Sequence, residues 1–175
     1  AIDPKTGGIL TMVGSRDYFD KEIDGNFNVT TAHRQPGSTF KPFVYAEAFI
    51  KGYTPETVLF DVPTQFAARC TSDNLTSEND CYSPGNYDDI FRGPMTMRDA
   101  LAQSINVPSV KVLYLAGVSE SINLATNMGV TNLGNANTYG LTLVLGGGEV
   151  SLLDMTSAYG VFATEGQRVP YTSIL

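Results

Sequence analysis

Apolar positions at Phe43, Val44, Ala46, Phe49 and Ile50 recur at helical spacing and predict a buried helix that runs to Lys51 and ends at Gly52. Pro42 suits the first turn of that helix, where its missing N–H costs least, but it disfavours α geometry at Lys41. The helix is therefore expected to start near Ser38 and to start irregularly. Further on, Thr96 with Asp99 three residues later reads as a capping-box-like start, with Met97, Ala100 and Leu101 on the apolar side. That helix stops at Ser104-Ile105-Asn106-Val107-Pro108. Pro108 opens another over 109–116, ended by Gly117, and a third covers 120–128, closed by Gly129. These short helices predict a helical subdomain. Ser151, with Asp154 as box partner and Val150 and Met155 placed as a hydrophobic staple, caps a last helix to about Thr164, with Gly166 beyond it.

Strand signals are fewer. Residues 1–14 read as two short strands about the turn Asp3-Pro4-Lys5-Thr6-Gly7-Gly8, the second being 9–13. Residues 26–34 read as an extended, polar stretch with poor alternation. A capped turn over 53–58 leads into Leu59-Phe60-Asp61-Val62-Pro63, and the following residues to Tyr87 have no clear period. The apolar 141–145 run precedes Gly146-Gly147-Gly148, which lacks the Lys-Ser/Thr of a phosphate loop and reads as close backbone packing.

A chain of 175 residues, 42% hydrophobic and 17% charged, is long enough for one domain with a real core. Its net charge of −7 argues against a nucleic-acid surface. The acidic residues Asp61, Asp73, Glu78, Asp80, Asp88 and Asp89 crowd one segment and read as a solvated loop. No stretch has the length and apolarity of a bilayer span, and no signal peptide is recognisable. The opening directly on a strand and the stop at Tyr171-Thr172-Ser173-Ile174-Leu175 lead us to expect a piece of something longer. Two cysteines and the lone His33 are too few for a zinc site, so no metal or cofactor is expected. Cys70 and Cys81 are either bonded or two free thiols.

The chemistry gathers at Ser38 and Lys41. Three residues apart at a helix start, both side chains lie on one face, within reach of each other. A serine hydroxyl needs a base before it is a useful nucleophile, and a deprotonated lysine can be that base. Free N–H groups at a helix start can hold a developing oxyanion. The same pair also occurs by chance, since Ser is a common N-cap. Ser104-Ile105-Asn106 is the second feature: a hydroxyl able to relay a proton, and a carboxamide able to bond both a lysine and a substrate amide. His33 lacks an evident acid partner and is read as a surface or backbone-bonding residue.

The run Arg34-Gln35-Pro36-Gly37-Ser38-Thr39-Phe40-Lys41-Pro42-Phe43, followed by Val44-Tyr45-Ala46, resembles the nucleophile segment of penicillin-binding proteins, specifically the transpeptidase domain of the bifunctional class A enzymes. Three further blocks resemble the same family in the same order. They are Tyr82-Ser83-Pro84-Gly85-Asn86-Tyr87-Asp88 with Phe91-Arg92-Gly93-Pro94, the run from Arg98 to Pro108, and Leu145-Gly146-Gly147-Gly148-Glu149-Val150-Ser151. The resemblance implies an α/β (α+β) fold of the penicillin-binding transpeptidase and serine β-lactamase type: an antiparallel sheet flanked by helices, plus a helical subdomain. It implies D,D-transpeptidation of peptidoglycan stem peptides ending in D-Ala-D-Ala. Ser38 would be the nucleophile, also acylated by β-lactams, and its N–H half of the oxyanion hole. Lys41 would be the base, alone or in a relay with Ser104, and Asn106 would orient Lys41 and substrate.

The resemblance further implies an extracytoplasmic setting, membrane attachment only through an anchor outside this chain, and therefore a Cys70–Cys81 disulfide. The tyrosine-rich 82–88 segment could line a substrate groove or be a surface excursion. The family's third motif, Lys-Thr-Gly or Lys-Ser-Gly on a late strand, is not found downstream of Ser104. Lys5-Thr6-Gly7 spells it, but in a turn before the nucleophile, and is read as structural. The expectation is thus residues 1–175 as the N-terminal portion of one transpeptidase domain, inactive until completed by a complementary C-terminal fragment. A β-lactam-hydrolysing or β-lactam-sensing acyl-enzyme, and a non-catalytic scaffold, are the other readings.

Overall fold

The structure, a computed structural model, describes residues 1–173. In chain order its regular elements are β1 (His33–Arg34), α1 (Lys41–Ile50), β2 (Val58–Asp61), β3 (Gly93–Thr96), α2 (Met97–Ala102), α3 (Asn106–Ala116), α4 (Val118–Met128), α5 (Ala136–Tyr139), β4 (Val150–Ser151) and α6 (Leu152–Ala163). Two compact units result. One comprises Gly37–Ser121 and Gly140–Leu145; the other comprises Ala1–Pro36, Ile122–Tyr139 and the chain from Gly146 onward.

The Gly37–Ser121 unit is built on α1 and α3. Pro42 cannot donate a backbone bond, and the chain enters α1 through a 3₁₀ turn, Gly37–Phe40, with α geometry beginning only at Lys41. This is the irregular start expected from the sequence. α1 and α3 pack on each other, with Phe43, Val44, Tyr45 and Ala48 of α1 and Val107, Val110, Leu113 and Ala116 of α3 fully buried. Tyr45 Oη meets Ser109 Oγ at 3.1 Å inside this layer, and Ser109 Oγ donates to Ile105 O at 2.6 Å. Antiparallel β2 and β3 pair Val58 with Thr96 through to Asp61 with Gly93. Thr96 then caps α2, its hydroxyl accepting from Asp99 N at 3.1 Å. α3 begins two residues ahead of Pro108, at Asn106, so the proline stands within its first turn rather than opening it.

Helices α1, α2 and α4 end in one motif. Each has a residue with positive φ just past the cap and paired backbone bonds back into the last turn: Gly52 N to Phe49 O with Tyr53 N to Ala48 O, Ser104 N to Leu101 O with Ile105 N to Ala100 O, and Gly129 N to Thr126 O with Val130 N to Ala125 O. Glycine fills the left-handed place in two of them, at φ +97° and +115°. In the third it is Ser104, at φ 55°.

In the other unit, β1 pairs antiparallel with β4, His33 opposite Ser151. Ser151 caps α6, accepting from Asp154 N at 3.0 Å. The Asp154 carboxylate accepts from Thr131 N at 3.2 Å and from the Thr131 hydroxyl, a tie invisible to a capping-box pattern. The two strands expected in residues 1–14 are reduced to single bridges, Ile2 to Ile9 and Gly8 to Thr172. A strand persists as a ladder, and here the bonding segments meet at single residues. The extended stretch 26–34 is strand only at β1. The 141–145 run, which belongs to the Gly37–Ser121 unit, folds as a 3₁₀ turn, Gly140–Leu145, after the short α5. A Cβ on Gly148 would lie 3.1 Å from Leu133 Cδ2, in keeping with the close-packing reading of the glycine run.

The acidic segment corrects a second expectation. Cys70 and Cys81 form a disulfide, and Asp73, Asp80 and Asp88 are exposed. Asp61, however, is fully buried. Strand alternation puts Leu59 and Asp61 on the inward face of β2, which composition alone cannot see. Arg92, just beyond the segment, pairs with Asp88 at 2.5 Å and approaches Asp61 at 3.9 Å.

Candidate active site

Ser38 is the second residue of the 3₁₀ turn and is exposed, while Lys41 opens α1 and is 1% exposed. In a turn of three residues, positions i and i+3 eclipse, so the backbone sets Ser38 and Lys41 on one side. The Lys41 stem runs into the layer between α1 and α3, and its amine ends against the corner between α2 and α3. Nζ donates to Ser104 O at 2.6 Å, to Ser104 Oγ at 3.1 Å and to Asn106 Oδ1 at 2.9 Å. Three of the four residues singled out from the sequence thus share hydrogen bonds, and the fourth lies one turn before Lys41.

An ammonium has three protons to place, and these acceptors take all of them. None of the three acceptors is a carboxylate. Burial therefore dominates, pushing the Lys41 ammonium down from its ordinary 10.5 to about 8. A neutral amine is then accessible near physiological pH. Once Nζ is neutral its lone pair needs a donor, and among Ser104 O, Ser104 Oγ and Asn106 Oδ1 only the hydroxyl can donate. A proton can accordingly move between Lys41 and Ser104 without either leaving its place. Ser104 holds a left-handed backbone that costs a non-glycine residue of the order of 1–3 kcal/mol.

His33 is exposed and engaged in the β1–β4 pair through its backbone. Lys5-Thr6-Gly7 is a turn, in which Asp3 accepts from Lys5 N at 2.9 Å and Thr6 Oγ1 at 3.0 Å, with Lys5 exposed. Among the described residues no group of three or more His, Cys, Asp or Glu could hold a metal ion, and no helix is long and apolar enough to cross a membrane.

A family model described as the penicillin-binding protein transpeptidase domain matches residues 1–174. The chain belongs to this family. Penicillin-binding protein 2D of Bacillus subtilis (strain 168) is 35% identical over 176 residues, covering 99% of this chain and 23% of that protein. Penicillin-binding protein 1A of Neisseria lactamica is 34% identical over 169 residues, covering 97% of this chain and 20% of that protein. The chain thus spans a quarter or less of the length of these relatives. The crystal structure of penicillin-binding protein 1A from Haemophilus influenzae is similar with a TM-score of 0.70 at 30% identity, over 85% of this chain and 21% of that one. The PonA1 protein of Mycobacterium tuberculosis, solved in complex with penicillin V, gives a TM-score of 0.76 over 97% of this chain and 44% of that one, and at 22% identity it speaks for the fold alone.

Within this transpeptidase-family chain, sequence reading missed the residues behind Asn106. The sequence pattern puts Asn86 in the 82–88 segment of undecided role and Asp61 among solvated acids. Both are buried, and Asn86 bonds the backbone of Asn106. The available signal was Asn86 inside the resembling 82–88 block, which gave a place in the family without giving a contact.

Proposed function

We propose that this chain supplies the nucleophile half of a serine D,D-transpeptidase that cross-links peptidoglycan stem peptides. The observation carrying this reading is the buried Lys41 amine, tied to Ser104 and Asn106 one turn after the exposed Ser38. Ser38 Oγ attacks the carbonyl carbon of the penultimate D-Ala while its proton passes to neutral Lys41, directly or through Ser104. The oxyanion takes a hydrogen bond from Ser38 N–H. The tetrahedral intermediate collapses, the C–N bond breaks, and D-Ala leaves with the proton from Lys41 or Ser104. An amine of a neighbouring stem peptide then attacks the Ser38 ester, gives up its proton to the same pair, and restores free Ser38. Asn106 holds Lys41 in place throughout. A β-lactam acylates the same hydroxyl.

The remaining pieces follow from the same reading. Residues 1–175 act as the N-terminal portion of one transpeptidase domain, with the Lys-Thr/Ser-Gly strand on a complementary C-terminal segment. The domain works on the extracytoplasmic side of the bacterial membrane, for which the Cys70–Cys81 bond is support, since such bonds persist in oxidising compartments. The test is labelling of the full-length protein with a reporter penicillin, followed by peptide mapping. The adduct is expected on Ser38; an adduct on another serine, or none, overturns the reading.

A further inference from the structure

Asn86 stands in a segment rich in Ser, Asn, Asp and Pro, yet it is only 5% exposed. A buried carboxamide needs partners at both ends. Asn86 Nδ2 donates to Asp61 Oδ1 at 2.8 Å, to Asp61 Oδ2 at 3.0 Å and to Ile90 O at 2.8 Å. Its Oδ1 accepts from the backbone N–H of Asn106 at 3.1 Å and of Val107 at 3.2 Å. Those are the first two N–H groups of α3, which a helix leaves without internal partners. Ile105, in the cap position, has no side-chain oxygen to take them. Asn86 performs the capping from 20 positions upstream.

The neighbouring residue holds the other end of Asn106. Gly85 O accepts from Asn106 Nδ2 at 3.1 Å, which leaves Oδ1 for Lys41 Nζ at 2.9 Å. A carboxamide turned over would present N–H groups to an ammonium. Residues 85 and 86 thus grip Asn106 by backbone and side chain together. Asp61 anchors the grip: it is fully buried on β2, and Oδ2 also accepts from Arg92 N at 3.0 Å.

We propose that Asn86, oriented by buried Asp61, is a positioning residue of the acylation site, capping α3 from outside and, with Gly85 O, keeping Asn106 Oδ1 on Lys41. The inference rests on the reading of Ser38 and Lys41 as nucleophile and base. Without the grip the first turn of α3 and the Asn106 amide shift, and misplacement of about 1 Å at a reacting centre costs on the order of 10²-fold in rate. The loss falls on the acylation step rather than on noncovalent β-lactam binding.

The experiment compares full-length wild type with Asn86→Leu, Asn86→Asp and Ser121→Ala. Ser121→Ala is the structural control: it removes the bond from the buried Ser121 hydroxyl to Gly117 O, 2.7 Å long at the junction of α3 and α4, away from the site residues. One readout is the rate and pH profile of penicillin acylation. The other is the pH dependence of Lys41 modification by acetic anhydride, which reports the amine without turnover. Asn86→Leu is expected to acylate about 10²-fold slower, with Lys41 titrating above its wild-type value as water enters. Asn86→Asp keeps an oxygen for the α3 N–H groups but sets a second carboxylate against Asp61 in place of the Nδ2 bonds, so it too should acylate more slowly than wild type, and it carries the comparison if Asn86→Leu does not fold. Ser121→Ala should change neither readout. Wild-type acylation and an unshifted Lys41 titration in the Asn86 variants would overturn the proposal, as would an equal loss in Ser121→Ala. A wild-type protein that takes no label at Ser38 refutes the underlying reading instead, and the amine titration still decides whether Asn86 holds the Lys41 pocket.

Discussion

Lys41 Nζ donates to Asn106 Oδ1 at 2.9 Å across 65 positions of sequence. Two helix starts, those of α1 and α3, are thereby joined at one amine, and most of what can be tested in this chain concerns that junction.

Replacing Lys41 separates chemistry from packing. Lys41→Met keeps an apolar stem in the α1–α3 layer, so the fold should survive while penicillin acylation of the full-length protein falls by roughly 10²–10⁴-fold. Lys41→Arg should do no better, because a guanidinium does not deprotonate at accessible pH. Lys5→Met, in the exposed turn that spells Lys-Thr-Gly, should acylate as wild type. Acylation rates alongside circular dichroism check all three; a near-normal Lys41→Arg ends the base assignment.

The titration of Lys41 sets a pH dependence whose sign is fixed. Acylation should rise with pH and level off above about 8, rather than near the ordinary 10.5. A rate that falls through that range would mean the ammonium, not the amine, is the working form. Stability should show the same shift. The folded amine gives up its proton before the unfolded one, so between about 8 and 10.5 the unfolded chain binds more protons and stability increases with pH. Relative to Lys41→Met, wild type should gain about 3 kcal/mol over that window. Tyr45 and Tyr82, both pushed up to about 12 by burial, are common to both proteins and cancel. Urea unfolding of the pair at stepped pH measures the difference.

Ser104 occupies a backbone position that α1 and α4 give to glycine. Ser104→Gly should therefore stabilise the corner by about 1 kcal/mol, the relieved strain less the extra freedom glycine has in the unfolded chain, while Ser104→Ala keeps the strain and loses only the hydroxyl. If the hydroxyl relays the proton, both variants should acylate slowly despite their opposite stabilities. Thermal midpoints and acylation rates of the two give the answer; normal acylation in either removes Ser104 from the relay.

The disulfide should matter to the loop and not to the chemistry. Asn86 is anchored to Asp61 and Ile90 independently of Cys70 and Cys81. Reduction and alkylation should speed proteolysis within residues 62–82 and leave the acylation rate close to wild type. A large fall in acylation on reduction would show that the bond supports the Asn86 grip.

What the sequence determined by itself was local. The apolar spacing after Lys41, the Thr96 and Ser151 caps and the glycines at 52 and 129 are short-range choices, in which each residue answers to neighbours within a turn, and they located α1, α2, α4 and α6. The family blocks pointed to Ser38, Lys41, Ser104 and Asn106 as one set. Tertiary structure decided the rest. Nothing in the pattern separates Asp61 from the exposed acids after it, because burial depends on which face of β2 meets the interior. Residues 9–13 have strand composition, but a strand also requires a ladder of partners, which composition does not supply. The cap of α3 comes from Asn86, 20 positions away, rather than from its own N-cap residue. Helix capping is read from sequence as a local rule, and only a folded chain can satisfy it from a distance.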